Sequence, residues 1–282
     1  MDVKSMHTVS ETAAWQDPMH ADVFDYLHKM PLCIVRKHYE SFNEGRLLKR
    51  FKDKIRGDLF FEIGCATGEL YRYLSHFMSR FQYVGLDISA PAIERAKAKY
   101  PRGRFYLLES GLDEIAQRWG QPDVIWCHDV VMHQDDPYRF LHHLINLSKD
   151  VVILRLRTRD VGDTVFDREM SCQLHWDKYW VPYIVLNIDE MIQGICEHGD
   201  VKKIVLSRHY EVLGGHNYRF LPKELYFTST GSAETAVFIQ KGVSAAGAVD
   251  VSFLDQPDRP RFSLLDHIIR RAFSLLRARR HP

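Results

Sequence analysis

Three small residues at alternate positions follow a short apolar run, and a helical segment begins directly after them. The run is residues 59–63, and the small residues are Gly64, Ala66 and Gly68. Small residues let the backbone approach a ligand at points where a larger side chain would collide with it. Because ligands bind at the carboxyl ends of strands in open parallel sheets, this turn is a candidate binding site.

Two classes of ligand compete for such a turn. A dinucleotide requires the spacing G-x-G-x-x-G, which seats its pyrophosphate on the helix N-terminus. Here the spacing is G-x-A-x-G, and Glu69 occupies the last position, where a carboxylate would repel a pyrophosphate. Glu62 adds further negative charge just before the turn. The two acids favour a ligand that carries positive charge and no phosphate.

An acid also ends the second apolar run. Asp87 lies about 20 residues after the glycine turn, where an acid can accept hydrogen bonds from both hydroxyls of a ribose. Ser89 follows it, and we interpret Ser89 as the N-cap of the next helix. Together with the turn, Asp87 indicates a nucleoside ligand.

Residues 62–68 resemble motif I of the class I methyltransferases, the seven-stranded Rossmann-like family. The methyl donor of that family is S-adenosylmethionine, which carries an ammonium and a sulfonium centre. Its positive charge and lack of a phosphate match the ligand that Glu62 and Glu69 favour. Residues 122–137 resemble the motif that follows the fourth strand in small-molecule methyltransferases, and the register holds from Asp123 to Pro137. A looser likeness to bacterial sugar and polysaccharide methyltransferases rests on residues 180–187.

The resemblance implies which residues bind the donor. Asp87 would hold the ribose, Ile88 would pack on the adenine, and Glu109 would accept the adenine amino group. For Glu109, the alternative of a solvated loop acid stays open. The implied set is Glu62, Gly64, Cys65, Ala66, Gly68, Asp87, Ile88, Glu109, Ser110 and Cys127.

Two histidines follow the fourth apolar run, where members of this family face the methyl group. An alcohol acceptor must lose its proton, and histidine suits that task near neutral pH. His133 matches the histidine that recurs in the motif, and His128 is the second candidate base. For His133, packing in the first turn of the next helix stays open as the alternative. Residues 135–137 predict a turn and helix N-cap, so we expect no metal site.

An aromatic-rich stretch after the fifth run is the predicted acceptor wall. Aromatic faces stack on sugar rings and other flat groups, although aromatic residues are also common in cores. The predicted substrate-binding residues are Trp176, Tyr179, Tyr183 and Asn187. We therefore expect a small-molecule or saccharide acceptor that is methylated on a hydroxyl group.

The elements that position these residues follow from the pattern of the chain. Apolar runs alternate with helical segments from residue 57 to about residue 159, which predicts parallel βαβ units. The runs are continuous rather than alternating, as expected for strands covered on both faces. The predicted fold is a doubly wound α/β fold with a mostly parallel seven-stranded sheet, an N-terminal helical lid and an insertion after strand five. The runs are residues 59–63, 83–86, 105–108, 124–127 and 151–156, with later strand candidates at 203–208 and 235–240.

The predicted organisation has four parts. They are a helical cap at 1–56, a methyltransferase domain at 57–242 with an acceptor-covering insertion at 160–208, a flexible linker at 243–262, and a basic amphipathic helix at 263–282. Pro31 should break the helical pattern of the cap. The last helix carries five arginines and one acid, which suits an anionic membrane surface. Docking on its own domain or on a second subunit is the alternative, and the oligomeric state stays open.

Composition narrows the function classes. Lys plus Arg is 38 and Asp plus Glu is 37, so the net charge of +1 gives no global drive toward nucleic acid. No apolar run reaches the ~18 residues of a membrane-spanning helix. The five cysteines form no C-x-x-C pair, which argues against a disulfide framework or a zinc site. We expect a cytoplasmic protein. Two alternatives stay open, namely peripheral contact with the inner face of the membrane through residues 263–280 and an acceptor that is linked to a lipid.

Two rival function classes remain at this stage. An NAD(P)-dependent oxidoreductase shares the fold, but Glu62, Glu69 and the glycine spacing disfavour it. A non-catalytic scaffold that binds S-adenosylmethionine stays open, because a binding pocket by itself does not establish turnover.

Overall fold

A computed structural model of the chain describes residues 12–25, 27–109, 111–168, 171–176, 178–209, 233–244 and 247–254. The helices among them are α1 Ala13–Gln16, α2 Pro18–Phe24, α3 Leu32–Ser41, α4 Asn43–Phe51, α5 Glu69–Phe77, α6 Ala90–Lys99, α7 Leu112–Trp119, α8 Pro137–Leu147 and α9 Ile188–Glu197. The strands are β1 Leu59–Ile63, β2 Gln82–Asp87, β3 Phe105–Leu107, β4 Val124–His128, β5 Val151–Arg159, β6 Cys172–His175, β7 Tyr179–Pro182, β8 Leu186–Asn187, β9 Val201–His209, β10 Ala233–Lys241 and β11 Asp250–Phe253. Strands and helices alternate from β1 to β5, as the sequence predicts.

Nine of the described strands form one sheet. Its order is β11-β9-β10-β5-β4-β1-β2-β3, and β8 pairs with β5 beside this path. The neighbouring strands β3 and β2, β2 and β1, β1 and β4, and β4 and β5 are each parallel. Strand β10 is antiparallel to both β5 and β9. This confirms the predicted doubly wound α/β class. The strand number exceeds the predicted seven because the short strands β8 and β11 also join the sheet.

The order of the strands reverses at β1, which pairs in parallel with β2 on one side and β4 on the other. In open α/β sheets, ligands bind in the crevice at the carboxyl ends of the strands next to such a switch point. The glycine turn follows β1, and Asp87 ends β2. The topology therefore brings the two strongest features of the sequence to the same edge of the sheet.

The central strands are buried on both faces. Phe60 and Trp126 belong to one apolar cluster, while their neighbours Phe61 and Ile125 belong to the cluster on the other face. Because both faces are covered by helices, successive residues of each strand are apolar. This arrangement explains the continuous apolar runs of the sequence.

The helices before β1 divide at Pro31, as predicted. Pro31 precedes the first residue of α3 and separates that helix from α2. Helix α4 packs on the sheet, where the ring of Phe51 stacks on that of Phe238 with a centroid distance of 4.5 Å. Helices α1 and α2 contact different elements, described below with the candidate site.

The region after β5 departs in part from the predicted organisation. Strands β6 and β7 form a separate two-stranded hairpin, but β9, which begins inside the predicted 160–208 insertion, belongs to the main sheet. Strand β11 lies within the predicted flexible linker and pairs in parallel with β9, so the linker prediction is wrong for these four residues. The predicted basic helix at 263–282 lies outside the described residues. Among the described helices, none is long and apolar enough to cross a bilayer.

Candidate active site

The glycine turn forms a cradle of backbone atoms between β1 and α5. Gly64 and Gly68 have φ angles of 78° and 81°, in the left-handed region that favours glycine. A Cβ on Gly64 would lie 2.4 Å from the side chain of Val130, and one on Gly68 would lie 2.6 Å from the ring of Phe105. Ala66 is also left-handed, with φ 44°, a conformation that costs energy in a residue with a side chain. The turn thus stores strain at the expected ligand position.

Asp87 holds this cradle from the neighbouring strand. Its carboxylate accepts hydrogen bonds from the backbone N–H of Ala66 at 2.7 Å and of Ser89 at 2.8 Å. A carboxylate has about four acceptor positions, so two remain for the hydroxyls of a ribose. The two backbone bonds fix the orientation of the carboxylate, and the sequence prediction for Asp87 agrees with this geometry.

Glu62 does not lie as an open charge beside the turn. Its carboxyl is buried and accepts a hydrogen bond from the hydroxyl of Tyr83. Burial raises the pKa of Glu62 well above its usual value, against the opposing effect of the Tyr83 hydrogen bond. A cation bound nearby would favour the ionised form. The predicted role of Glu62 as a standing negative charge is therefore corrected to that of a buried acid whose ionisation depends on its surroundings.

Glu69 is also paired within the protein. Its carboxylate lies 2.6 Å from the ammonium of Lys99 and accepts a hydrogen bond from the hydroxyl of Tyr100 at 2.9 Å. Lys99 pairs as well with Asp25, at 2.6 Å. Because Lys99 is shared with Asp25, it compensates the charge of Glu69 only in part, and the repulsion of a pyrophosphate at this position is weaker than the sequence predicts. The spacing of the turn remains as the argument against a dinucleotide.

The two cysteines of the predicted donor set are buried. Burial raises the pKa values of the Cys65 and Cys127 thiols, so both remain protonated at neutral pH. Cys65 lies close to Gly85, where a Cβ would come within 3.0 Å of its sulfur.

The adenine end of the predicted set is only partly described. Ile88 is half-buried after β2, and Glu109 is exposed after β3, while Ser110 lies outside the described residues. Ser89 precedes α6, but its side chain makes no capping hydrogen bond. Its hydroxyl is buried and has no hydrogen-bond partner among the described residues. Ser89 thus occupies the predicted N-cap position of α6, but its side chain does not cap the helix.

His133 lies in a short 3-10 turn, Val131–His133, after β4. Its Nδ1 is 2.6 Å from the carbonyl oxygen of Pro182 on β7. Because a carbonyl only accepts, the proton of the neutral ring lies on Nδ1 and the lone pair lies on Nε2. The rings of Trp15 and Tyr183 lie 4.9 Å and 5.8 Å from that of His133. The Pro182 carbonyl and these rings thus fix the orientation of the His133 ring.

His128 has different surroundings. Its Nδ1 lies 3.0 Å from Glu44 Oε1, and its Nε2 lies 3.6 Å from Asp129 Oδ2. A carboxylate faces each nitrogen, but the distance to Asp129 is too long for a hydrogen bond. The two predicted bases therefore differ in the groups that hold them, a backbone carbonyl for His133 and a carboxylate for His128.

His128 belongs to a cluster of charges at the carboxyl end of β4. Asp129 accepts hydrogen bonds from Arg155 Nε at 3.1 Å and from Arg157 Nη1 at 2.9 Å. Burial alone would raise the pKa of Asp129, but the two guanidinium groups hold it well below the usual value. Asp129 is also left-handed, with φ 56°. The members are Glu44, His128, Asp129, Arg155, Arg157 and Glu234.

Neutralising Asp129 is expected to destabilise the fold. In Asp129→Asn the shape and the left-handed backbone are retained, but two buried guanidinium groups lose their common carboxylate. Removing one partner of a buried pair costs about 3–5 kcal/mol, which chemical denaturation would detect as a lower free energy of unfolding. The control is Asp250→Asn, which breaks an exposed pair with Lys203 and should cost less than about 1 kcal/mol. Equal losses in both variants would contradict the structural role of the cluster.

The four predicted substrate-binding residues have different surroundings. Trp176 follows β6 in a left-handed conformation, φ 54°, and its indole nitrogen is buried without a hydrogen-bond partner among the described residues. Tyr183 is buried beside His133, whereas the hydroxyl of Tyr179 donates to Asp17 on the N-terminal segment. Asn187 caps α9, because its side-chain oxygen accepts hydrogen bonds from the backbone N–H groups of Asp189 and Glu190. The role of Asn187 is therefore that of a helix cap.

Sequence reasoning missed the residues that cover this edge of the sheet from the N-terminal side. Gln16 bonds to the backbone of Ile88 and Ala90, and the rings of Trp15 and His20 lie beside the β6–β7 hairpin. These contacts join residues far apart in the chain, and only the aromatic content of residues 15–24 hinted at them. Within the described part of the chain, no group of three or more His, Cys, Asp or Glu side chains is arranged to hold a metal ion.

Comparison with known proteins identifies the central segment. Residues 61–152, from β1 into β5, match a family model described as a methyltransferase domain. A protein of Synechococcus sp. (strain ATCC 27144 / PCC 6301 / SAUG 1402/1), itself uncharacterized, is 31% identical over 113 residues. That match covers 38% of this chain and 26% of the relative, so it spans only about a quarter of the relative's length.

Solved structures share the fold. The CurJ carbon methyltransferase has a TM-score of 0.50 and 17% identity, over 83% of this chain and 61% of that one. The magnesium protoporphyrin IX methyltransferase of Synechocystis PCC 6803, solved with bound SAM, has a TM-score of 0.48 and 12% identity, over 83% and 98%. The plantazolicin methyltransferase BpumL in complex with SAH has a TM-score of 0.49 and 17% identity, over 82% and 93%. At these identities the likeness concerns the arrangement of the strands and helices.

Proposed function

We propose that this chain, whose central segment is a class I methyltransferase domain, transfers the methyl group of S-adenosylmethionine to a small-molecule acceptor. The observation that carries the proposal is the contact between Asp87 and the backbone N–H of Ala66. It joins the ribose-binding acid to the glycine turn at the switch point of the sheet, inside the matched segment.

The residues present fit this donor. The left-handed turn offers a backbone cradle that side chains at Gly64 and Gly68 would block. Asp87 retains acceptor capacity for the ribose hydroxyls, and Ser89 presents a buried hydroxyl beside it. Glu62 supplies a buried carboxyl that a nearby positive charge would ionise. Ile88 and Glu109 are the proposed adenine contacts.

The proposed chemistry assigns a proton-accepting role to His133. When bound, S-adenosylmethionine supplies a methyl carbon that an acceptor oxygen attacks as the carbon–sulfur bond breaks, leaving S-adenosylhomocysteine. His133 Nε2 accepts the proton of the acceptor hydroxyl, while the Pro182 carbonyl holds the Nδ1 proton. The remaining contribution of the protein is to position the two reactants and to exclude water.

The proposed acceptor wall is aromatic. The ring of Tyr183 lies 5.8 Å from that of His133, and the ring of Trp176 packs on that of His175. Flat rings of this kind bind a saccharide or an aromatic small molecule. A lipid-linked acceptor and contact with an anionic membrane rest on the sequence of residues 263–280 alone, which the structure does not describe. The scattered cysteines, none of which forms a C-x-x-C pair, support a reducing setting for the reaction, which we propose to be the cytoplasm.

Calorimetry with S-adenosylmethionine, S-adenosylhomocysteine and NAD in parallel tests the proposal. We expect the first two ligands to bind with dissociation constants in the micromolar range, as is usual for enzyme ligands, and NAD to give no measurable heat. Tight NAD binding without binding of the sulfonium donor would refute the proposal in favour of an oxidoreductase. An acceptor screen with labelled methyl donor then separates an enzyme from a non-catalytic binder, since only an enzyme releases S-adenosylhomocysteine.

A further inference from the structure

The segment 16–24, here called the strap, crosses the donor-binding edge of the sheet. At one end, the backbone N–H of Ala90 donates to the side-chain oxygen of Gln16 at 3.2 Å, and the Gln16 amide donates to the carbonyl of Ile88. At the other end, the hydroxyl of Thr67 donates to the carbonyl of Phe24 at 3.0 Å. One end is thus fixed just after Asp87, and the other is fixed within the glycine turn.

The strap therefore spans the two elements that the contact between Ala66 and Asp87 joins. That contact, 2.7 Å between the Ala66 nitrogen and the Asp87 carboxylate, joins the two elements on which the strap ends rest. Asp87 is only 6% exposed beneath this cover. The strap residue halfway between the two fixed ends is His20.

His20 is buried with an unused nitrogen. The residue is 7% exposed, and its Nδ1 has no hydrogen-bond partner among the described residues. Its ring is enclosed by flat side chains, with centroid distances of 5.0 Å to Phe24, 5.4 Å to Trp15 and 6.5 Å to Trp176. Buried polar atoms in native proteins almost always have a partner, so an unused one calls for a ligand or a water molecule.

Asp87 and Asp17 are the charged groups that act on His20. Burial lowers the pKa of His20, and the negative charges of Asp87 and Asp17 oppose that effect. The ring is therefore neutral near pH 7 and carries one proton that can reside on Nδ1. Ser89, on the other side of Asp87, presents a second buried polar atom without a partner among the described residues.

We infer that His20 is a donor-binding residue, and that its Nδ1–H donates a hydrogen bond to a ribose hydroxyl whose own proton is donated to Asp87. A hydroxyl both donates and accepts, whereas a carboxylate only accepts, so the two side chains are complementary partners of one hydroxyl group. This inference rests on the proposed function, since it names a further contact to the same donor. It also means that residues from the N-terminal helices complete the donor site.

The experiment measures S-adenosylhomocysteine binding by calorimetry to the unchanged chain, His20→Phe and His20→Asn. Phenylalanine retains a flat ring for the packing against Trp15 and Phe24 but has no nitrogen. Asparagine retains a side-chain amide near the position of Nδ1. We expect His20→Phe to weaken binding by about five- to tenfold, the value of one net hydrogen bond, and His20→Asn to restore most of the affinity.

Ribose analogues of the ligand show whether the lost contact is the inferred one. The analogues are the 2′-deoxy and the 3′-deoxy forms of S-adenosylhomocysteine. One of these two analogues lacks the hydroxyl that His20 contacts, and His20→Phe and the unchanged chain should bind that analogue with equal affinity. His28→Phe is the matched control, because His28 Nδ1 is also buried without a described partner but lies outside the strap. His28→Phe should leave S-adenosylhomocysteine binding unchanged.

The possible failures are distinguishable. If the unchanged chain does not bind S-adenosylhomocysteine, the proposed function fails and this inference fails with it. If the unchanged chain binds and His20→Phe binds equally well, or if the loss persists with both deoxy analogues, the inference about His20 is refuted while the proposed function stands. Thermal melting of each variant verifies that the strap substitutions leave the protein folded.

Discussion

Replacing Asp87 with alanine is expected to weaken S-adenosylhomocysteine binding by at least about a hundredfold. The carboxylate is the proposed acceptor for the ribose hydroxyls, and hydrogen bonds to charged groups contribute about 1.5–3 kcal/mol each. The same substitution removes the acceptor of the Ala66 and Ser89 N–H groups, so the glycine turn loses its fixed shape. Calorimetry with the purified variant measures the loss directly.

Two further variants test whether the charge of Asp87 and its place in the site are what matter for binding. Asp87→Asn retains one oxygen acceptor and should bind with an affinity between those of the unchanged chain and the alanine variant. Asp53→Asn removes a carboxylate whose side chain is 81% exposed and should bind like the unchanged chain. If Asp87→Ala is folded and binds within about threefold of the unchanged chain, a difference below one ordinary hydrogen bond, Asp87 is not the ribose acid.

The central strands could be predicted because burial on both faces leaves a direct mark on the sequence. Strand β1 begins and ends at the predicted residues, 59 and 63. Strand β5 was predicted to end at residue 156 but continues to Arg159. Its last residues include Arg157, whose charge is compensated by Asp129 and Glu234 from other elements. A buried charge with distant partners cannot be distinguished from a surface charge in the sequence alone.

The candidate site likewise has features that the sequence could predict and features that it could not. The glycine turn and Asp87 could be predicted because short-range spacing along the chain sets their geometry. The charge state around the turn could not be predicted, since Glu69 is compensated in part by Lys99 and Glu62 bonds to Tyr83. The donor class inferred from those two acids agrees with the matched methyltransferase domain, but the acids themselves do not form the open negative site on which the inference was based.

The contacts of the N-terminal segment could not be predicted from the sequence either. The sequence predicts a helical lid over the acceptor, and the N-terminal segment contacts both the β6–β7 hairpin and the elements of the donor-binding edge. A four-residue helix such as α1 carries too little periodicity to reveal which face it buries. Its position is fixed by single hydrogen bonds to distant backbone groups, and no local pattern encodes these bonds.

Replacing His133 with alanine is expected to lower turnover by about a hundredfold or more while leaving S-adenosylhomocysteine binding nearly unchanged. A positioned general base contributes about 10²–10⁴ to the rate, and the Nδ1 contact with Pro182 leaves Nε2 in the basic form. The measurement is single-turnover methyl transfer to an acceptor identified by screening with labelled donor. Equal rates for His133→Ala and the unchanged chain would remove His133 from the proposed mechanism.

His128→Ala provides the matched comparison, because the two histidines follow the same strand but differ in their partners. His128 faces Glu44 and Asp129, so its loss should lower the free energy of unfolding and leave the chemical step largely intact. A backbone carbonyl holds Nδ1 of His133, whereas the carboxylate of Glu44 holds Nδ1 of His128. If His128→Ala instead abolishes methyl transfer in a folded protein while His133→Ala does not, the base is His128 and its pairing with Glu44 orients it for catalysis. The ratio of the two single-turnover rates therefore distinguishes a base held by a carbonyl from a base held by a carboxylate.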